Sequence, residues 1–230
     1  MMKTKTWFIT GINSGFGRHL TEQLLERGDR VAGTVRKMDS VQDLSEKYGE
    51  NLWTAHLDVT DSNEVRDVVN KAFSEWGTID VVVNNAGYGL FGTAEEMTDE
   101  LLIHQIHTNL IGSIQVVRAA LPHLRNQGGG RILQLSTYGG QAVNPGAGMY
   151  HATKWGIEGF MESTALDVAP FNIGITIVEP GGARTEFRYG SAKITLGSDS
   201  YQAIHKALTG RLAELEMQKD TAGVTDYSLN

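Results

Sequence analysis

The sequence predicts a single domain of the α/β class, with a doubly wound parallel sheet and helices on both faces. Short β-branched or apolar segments alternate with longer helical patterns, which indicates right-handed crossovers between parallel strands. The segment Val81–Val83 is apolar without interruption, as is typical of a strand covered on both faces. A chain of 230 residues with 40% hydrophobic content also suits one domain better than two small ones.

Six strands are predicted in chain order, followed by a short last strand and a terminal helix. The six strands are Thr6 to Thr10, Arg30 to Val35, Leu52 to Leu57, Ile79 to Val83, Ile132 to Leu135 and Ile173 to Val178. The last strand is expected at Ile194 to Gly197, and in the helix after it Ile204, Leu208, Leu212 and Leu215 recur at spacings of four and three. Residues 194–230 thus complete the domain 1–230. Ligands of such sheets bind beyond the carboxyl ends of the strands, so we expect the functional residues there.

The composition excludes several classes of protein and site. The net charge of −7 and the lack of any Lys/Arg run argue against a nucleic-acid partner. With no cysteine there is no disulfide, thiolate nucleophile or Cys-ligated metal, and the histidines form no ligand cluster, so we expect no metal. The N-terminal apolar stretch is too short for a signal peptide and no segment is long enough to cross a bilayer, so we expect a soluble cytoplasmic protein without a membrane partner.

A glycine-rich turn follows the first strand and leads into a helix that ends near Gly28. It reads Thr10-Gly11-Ile12-Asn13-Ser14-Gly15-Phe16-Gly17, a Gly-x-x-x-Gly-x-Gly spacing. Glycines allow the backbone to approach a pyrophosphate, and a helix N-terminus offers free N–H groups to an anion. The same turn could serve only as a tight structural connection.

Further motifs lie at ordered intervals after this turn: Asp58 in LDVT, Asn85-Ala86-Gly87 in NNAG, Asn109 in TNLIG, Tyr150 and Lys154 in YHATK, and Pro180-Gly181 with Thr185 in EPGGART. Together they resemble the short-chain dehydrogenase/reductase family from about Thr4 to about Thr185. The resemblance implies a Rossmann-like dinucleotide-binding catalytic domain that transfers a hydride between a nicotinamide cofactor and a carbonyl or alcohol carbon. A catalytically impaired cofactor sensor or scaffold of the same fold is the alternative, and an extended sugar-nucleotide epimerase is disfavoured by the glycine spacing.

The resemblance also implies the residues that bind the cofactor. Asp58 and Val59 would lie near the adenine, and Thr185 near the carboxamide. The complete expected set is Gly11, Asn13, Ser14, Gly15, Phe16, Gly17, Arg36, Asp58, Val59, Asn85, Ala86, Gly87, Tyr150, Lys154, Pro180, Gly181 and Thr185.

The end of the second strand indicates which cofactor is used. NAD enzymes usually place a carboxylate there, whereas an arginine accommodates the 2′-phosphate of NADP. The sequence has Val35-Arg36-Lys37, so the guanidinium of Arg36 could hold that phosphate in a bidentate manner. We therefore expect NADP(H) rather than NAD(H), the alternative being that Arg36 and Lys37 are only solvated charges.

Tyr150 and Lys154 lie four residues apart on a predicted helix from Gly148 to Ala169, so their side chains share one face. A neighbouring ammonium favours the phenolate, which would let Tyr150 act as general acid or base. The resemblance implies that Lys154 also holds the ribose and that Asn109 anchors a relay water. Thr137 stands where the family usually has serine, while Ser136 is expected to face away because adjacent strand residues alternate.

Two further expectations concern the substrate side and the assembly. The family carries a helical substrate lid, but only a loop from Arg184 to Lys193 precedes the predicted last strand, so the lid is either absent, leaving an open site, or a mobile segment omitted from this sequence, which we favour. The segment MYHATKWGIEGF resembles members that act on hydroxysteroids, retinoids and other apolar carbonyl compounds. Family resemblance also predicts a homodimer or homotetramer, with Ile111, Ile114, Val117 and Leu121 forming an apolar face.

Overall fold

The structure is a computed structural model that describes residues 4–181, 192–195, 197 and 199–210. Its main sheet has six parallel strands in the order β3-β2-β1-β4-β6-β7, the order of a doubly wound dinucleotide-binding sheet. The strands are β1 (Thr6–Thr10), β2 (Arg30–Val35), β3 (Leu52–His56), β4 (Val81–Asn84), β6 (Gly130–Leu135) and β7 (Ile173–Val178). The predicted α/β class with a doubly wound parallel sheet is confirmed.

The helices connect these strands and cover both faces of the sheet. They are α1 (Gly15–Glu26), α2 (Gln42–Tyr48), α3 (Ser62–Trp76), α4 (Asp99–Ile106), α5 (Gly112–Asn126) and α6 (Gly148–Val168), with a π-helical turn at His107–Ile111 between α4 and α5. Asp61 caps α3 by accepting hydrogen bonds from the backbone N–H groups of Asn63 at 2.8 Å and Glu64 at 3.1 Å. None of the described helices is long and apolar enough to cross a membrane.

The core consists of two apolar layers, one on each face of the sheet. Helices α3, α5 and α6 bury side chains such as Val69, Leu124 and Met161 against one face. Helices α1 and α2 bury Leu25 and Leu44 against the other. Because both faces are covered, the central strands have few polar positions facing outward, which explains the continuous apolar segment at β4.

Several strand boundaries differ from the prediction. Ile79 was expected to begin the fourth strand, and it is fully buried, but its backbone bonds the side chain of Gln127, with Gln127 Nε2 donating to Ile79 O at 2.8 Å. Strand β4 therefore begins at Val81. Strand β6 begins at Gly130, two residues before the predicted start, because Gly130 already pairs with Ile173.

The predicted last strand is the largest difference. Residues Lys193–Ile194 form β8, which pairs in parallel with β5 (Leu90–Phe91) in a separate two-stranded sheet and not with the main sheet. The prediction of Ile194 to Gly197 found the extended segment but not its partner, which lies about a hundred residues earlier in the chain. Residues 202–210 are helical as expected, while Leu212 and Leu215 lie outside the described residues.

The predicted association face also needs correction. Val117 lies on α5, is fully buried and belongs to the core cluster that also contains the buried residues of α3. Ile114 and Leu121 are partly buried against the same cluster. Burial therefore removes Val117 from the predicted face, whereas Ile111, Ile114 and Leu121 are each partly exposed and their part in association stays a prediction.

Candidate active site

A cavity of about 450 Å³ lies at the carboxyl ends of the strands, where β1 is flanked by β2 and β4. The chain runs from β1 to β2 and β3 on one side and then crosses to β4 on the other side of β1, and such a reversal of strand order opens a crevice. The glycine-rich turn after β1 borders one part of the cavity, and the first turns of α6 border another.

The backbone of the glycine-rich turn requires glycine at particular positions. Gly11 and Gly15 have φ angles of +73° and +55°, which side-chain-bearing residues rarely adopt. A Cβ at Gly17 would overlap Gly11 O and Asn85 Nδ2, so only glycine lets α1 lie this close to the turn. Gly17 is accordingly a packing residue and does not border the cavity, whereas the other predicted residues of the turn do.

Asn85 and Thr10 fasten the glycine-rich turn to the end of β4. Asn85 Nδ2 donates to Thr10 O and Gly11 O, both at 2.9 Å. Thr10 Oγ1 accepts from the backbone N–H groups of Asn85 and Ala86, both at 3.0 Å. The side chains of Asn85 and Thr10 therefore fix the shape of the turn together.

Arg36 and Asp58 lie at the end of the cavity formed by β2 and β3. Burial would raise the pKa of Asp58, but hydrogen bonds from Thr60 N at 2.9 Å and Thr60 Oγ1 at 2.7 Å outweigh it, and the positive charge of Arg36 lowers the pKa further. Asp58 is thus ionised, and its Oδ1 already accepts two hydrogen bonds from Thr60. Arg36 is exposed and borders the cavity, and it forms no ion pair with the residues that the structure describes.

The π-helical turn places Asn109 under the cavity. Its side chain is 1% exposed, with Nδ2 donating to Tyr88 O at 2.8 Å and Oδ1 accepting from Tyr88 N at 3.0 Å. A π-turn adds a residue to the helix and often marks a functional position. Asn109 does not border the cavity itself. Both polar atoms of its side chain instead hold the backbone of the residue that follows the NNAG motif.

Tyr150 and Lys154 occupy the first turns of α6 and both border the cavity. They are 8% and 7% exposed, and Lys154 Nζ lies 5.8 Å from the centre of the Tyr150 ring. Lys154 Nζ donates to Leu135 O at 2.8 Å, at the end of β6. Burial lowers the pKa of Lys154 to about 8, and the negative charge of Glu158 acts in the opposite direction by raising it. The cation is therefore mostly present at neutral pH, beside the tyrosine.

Thr137 and Ser136 have different surroundings at the end of β6. Thr137 borders the cavity, and its Oγ1 accepts from Gly139 N at 3.4 Å, a long and weak contact. Ser136 is buried and its hydroxyl donates to the carboxylate of Glu158. Of the two hydroxyls, that of Thr137 is the more available to a bound molecule.

The rest of the cavity wall is largely apolar and was not identified from the sequence. Its aromatic and aliphatic members are Val35, Leu57, Tyr88, Phe91, Leu135, Tyr138, Pro145, Ala147, Ala192, Ile194 and Leu208. Polar residues, among them Thr108, Asn144 and Lys193, border the cavity between them. Tyr88 directly follows the NNAG motif, which is a signal that could have identified it. Ile194 and Leu208 come from the segment expected to be a last strand and terminal helix, a segment to which the sequence analysis gave no part in the site. His104 and His151 also border the cavity, and His151 is buried with its Nδ1 2.7 Å from Gly139 O.

The structure brings most predicted site residues to this one cavity. These are Gly11, Asn13, Ser14, Gly15, Phe16, Arg36, Asp58, Val59, Asn85, Ala86, Gly87, Ser136, Thr137, Tyr150, Lys154, Pro180 and Gly181. Asn109 and Gly17 support its wall, and Thr185 lies outside the described residues.

Comparison with known proteins agrees with this arrangement. The family model for short chain dehydrogenases matches residues 5–193. The chain is 41% identical over 201 residues to oxidoreductase BOA17 of Botryotinia fuckeliana, covering 87% of this chain and 73% of that protein. It is 39% identical over 186 residues to a 3-ketodihydrosphingosine reductase of Bacteroides thetaiotaomicron, covering 81% and 66%.

Solved structures give the same result. A short-chain dehydrogenase from Streptomyces avermitilis superposes with a TM-score of 0.85 at 35% identity, covering 94% of this chain and 78% of the other. ElxO with NADP bound superposes with a TM-score of 0.76 at 30% identity, covering 80% and 76%. The protein belongs to the short-chain dehydrogenase/reductase family of oxidoreductases.

Proposed function

We propose that this protein uses NADP(H) to interconvert a carbonyl compound and a secondary alcohol, with Tyr150 as general acid and base. The observation that carries the proposal is the single cavity that the glycine-rich turn, Arg36, Thr137, Tyr150 and Lys154 all border. The family relationship and the NADP bound to ElxO support it.

The residues at the glycine-rich turn fit a dinucleotide. Gly17 leaves no room for a side chain between the turn and α1, so the N-terminus of α1 is held against the cavity. Ser14 makes no capping hydrogen bond and the first turn of α1 has no acid, which leaves its N–H groups for a pyrophosphate. Arg36 would hold the 2′-phosphate. When bound there, NADPH supplies the hydride.

Side chains of the protein transfer the proton and orient the carbonyl oxygen. In reduction, the Tyr150 hydroxyl donates its proton to the oxygen that becomes the alcohol, and in oxidation it accepts that proton. The Lys154 cation stabilises the phenolate left by proton donation. The Thr137 hydroxyl donates to the carbonyl oxygen and orients it, and Asn109 fixes the backbone of Tyr88 and supports proton relay.

The cavity wall favours an apolar substrate. Phe91 lies 5.6 Å from Tyr150 between ring centres, and Pro145, Ile194 and Leu208 extend the apolar surface beyond it. An apolar substrate that covers this wall removes apolar surface from water and is stabilised by it, whereas a polar substrate gains less. A screen that follows NADPH absorbance should therefore find faster reduction of bulky apolar ketones and aldehydes than of small polar ones.

The central test is Tyr150→Phe. The phenyl ring preserves packing while removing the proton donor, so NADPH affinity should persist and single-turnover reduction should fall by about 10² to 10⁴. Tyr138→Phe is the matched control, because Tyr138 borders the same cavity. This variant should slow reduction much less than Tyr150→Phe does. Thr137→Ala should also slow reduction, and Ser136→Ala should slow it less. A Tyr150→Phe protein that keeps more than about a tenth of wild-type turnover would contradict the mechanism.

A further inference from the structure

We propose that Glu158 is a positioning residue of this site, whose buried carboxylate fixes the end of β6 and supplies the counter-charge of the Lys154 cation. Its consequence for turnover rests on the proposed function, whereas its effect on Lys154 does not. Glu158 lies within the segment MYHATKWGIEGF, but no role was assigned to it there, and the mechanism above does not use it.

The carboxylate of Glu158 is built into the site by several contacts. Glu158 is 3% exposed, and its oxygens accept hydrogen bonds from Ser136 Oγ and Gln141 Nε2. A Cβ at Gly140 would overlap Glu158 Oε1, so the turn after β6 admits this carboxylate only because residue 140 is glycine. A buried carboxyl is costly unless it is bonded and balanced, which indicates a specific role.

Glu158 lies one helical turn after Lys154 on α6, on the buried face of the helix. Lys154 Nζ donates to Leu135 O, whose next residue is the Ser136 that Glu158 holds. The two side chains thus act on neighbouring residues at the end of β6. Burial lowers the pKa of Lys154, and the negative charge of Glu158 counteracts that effect.

The other titratable groups around this pair are Tyr150, His151 and Glu179. Tyr150 faces Lys154 from the preceding turn of α6. His151 Nδ1 lies 2.7 Å from Gly139 O and its Nε2 accepts from Asn144 N at 3.1 Å, an arrangement that suits the neutral ring. Glu179 contacts Gln141 Nε2 from the exposed side at 3.4 Å. Glu158 is therefore the buried carboxylate on which the charge of Lys154 depends.

The sign of the pH effect follows from this arrangement. Lys154 acts as a cation, so its stabilisation of the Tyr150 phenolate is present below the pKa of Lys154 and is lost as the pH rises through that value. Removing the charge of Glu158 leaves burial unopposed and lowers the pKa of Lys154. The cation is then lost at a lower pH, and the alkaline limb of the pH profile for reduction moves in the same direction.

The test is an NMR titration of lysine side chains labelled with ¹³C in the cofactor-free protein, with the Lys154 signal assigned from Lys154→Arg. In wild type the midpoint should lie near the value of about 8 given above. In Glu158→Gln the midpoint should fall by about one pH unit or more, the usual effect of losing a nearby opposite charge. Glu162→Gln, one turn further along α6 and exposed, should leave the midpoint unchanged.

A second variant covers the possibility that Glu158→Gln does not fold. Gln141→Lys changes an exposed residue and places a cation against the Glu158 carboxylate, so it should also lower the midpoint. An unchanged Lys154 midpoint in every folded variant of the pair would overturn the proposal. The alkaline limb of kcat/KM for reduction should shift with the midpoint. If Tyr150→Phe retains turnover while the midpoints shift as stated, the proposed function fails and the Glu158 assignment stands.

Discussion

Two cations mark opposite ends of the cavity and differ in how the protein treats them. Lys154 is buried, bonds Leu135 O and has a lowered pKa, so its charge depends on its surroundings. Arg36 is exposed, and its guanidinium offers a planar fork of N–H donors that matches a phosphate. A buried lysine suits the control of a proton at Tyr150, while an exposed guanidinium suits a fixed anion. The residue types at the two ends therefore match the two tasks proposed for them.

Arg36→Asp should weaken NADPH binding more than NADH binding, because a carboxylate repels the 2′-phosphate that Arg36 is proposed to hold. Loss of one charge-assisted contact predicts about a tenfold or greater increase in Kd for NADPH. Fluorescence titration with each cofactor measures the effect. Lys37→Asp makes the same change of charge at a residue that does not border the cavity, and it should matter less. Equal wild-type affinities for NADPH and NADH would remove the basis for the NADP assignment.

Among the elements, α6 carries the greatest share of the chemistry. Tyr150, Lys154 and Glu158 follow one another at intervals of four along its buried face, where a helix would normally place only apolar residues. Lys154 bonds the last residue of β6, Glu158 bonds the residue after it, and Tyr150 borders the cavity. The helix and the strand end thus form one unit, and a change at Ser136 or Gly140 acts on the helix side chains across it.

Helix α1 depends on the absence of a side chain at Gly17. Gly17→Ala should lower the free energy of unfolding by about 1 to 3 kcal/mol, because the added methyl group meets backbone that must shift. NADPH affinity should fall with it, since the turn moves. Gly159→Ala is the control, as Gly159 lies exposed inside α6 with open space around its Cα and alanine favours helix. Urea unfolding curves that coincide for Gly17→Ala and wild type would contradict the packing argument.

At the scale of the whole molecule, the sheet and the cavity's nucleotide end were predictable because they depend on local patterns. Apolar strands such as β4 and the glycine spacing of the first turn identify themselves within a few residues. The remaining features depend on contacts between distant segments. Ile194 borders the cavity on the strand β8 that pairs with β5, and Gln127 replaces strand pairing at Ile79, neither of which has a local signature. The same limit explains Val117, whose helical spacing is identical for a core face and an association face.

The exposed apolar side chains predict association of copies of the chain. Leu166 and Trp155 on α6 are 80% and 51% exposed, and Ile103 on α4 is 53% exposed. We expect a homodimer or homotetramer in light scattering at micromolar concentration. Leu166→Glu should weaken that association about tenfold or more without unfolding the chain, because Leu166 has little packing to lose. Glu162→Gln is the surface control, and a monomeric mass for wild type would contradict the prediction.

The small sheet of β5 and β8 shares no strand with the main sheet. Its strands are joined by backbone bonds that include Lys193 N to Gly89 O at 2.8 Å and Thr195 N to Phe91 O at 2.9 Å. The chain beyond β8 is also bonded to the segment after β5, through Gly197 N to Glu96 at 3.0 Å and the Tyr201 hydroxyl to Glu95 at 2.7 Å. Local opening requires only the free energy of the contacts that are broken, so these bonds can separate while all six main strands stay paired. We therefore expect the wall formed by Ile194 and Leu208 to open as a separate cooperative unit, so that sequence changes that alter substrate preference can accumulate in it with little effect on the stability of the six-stranded sheet.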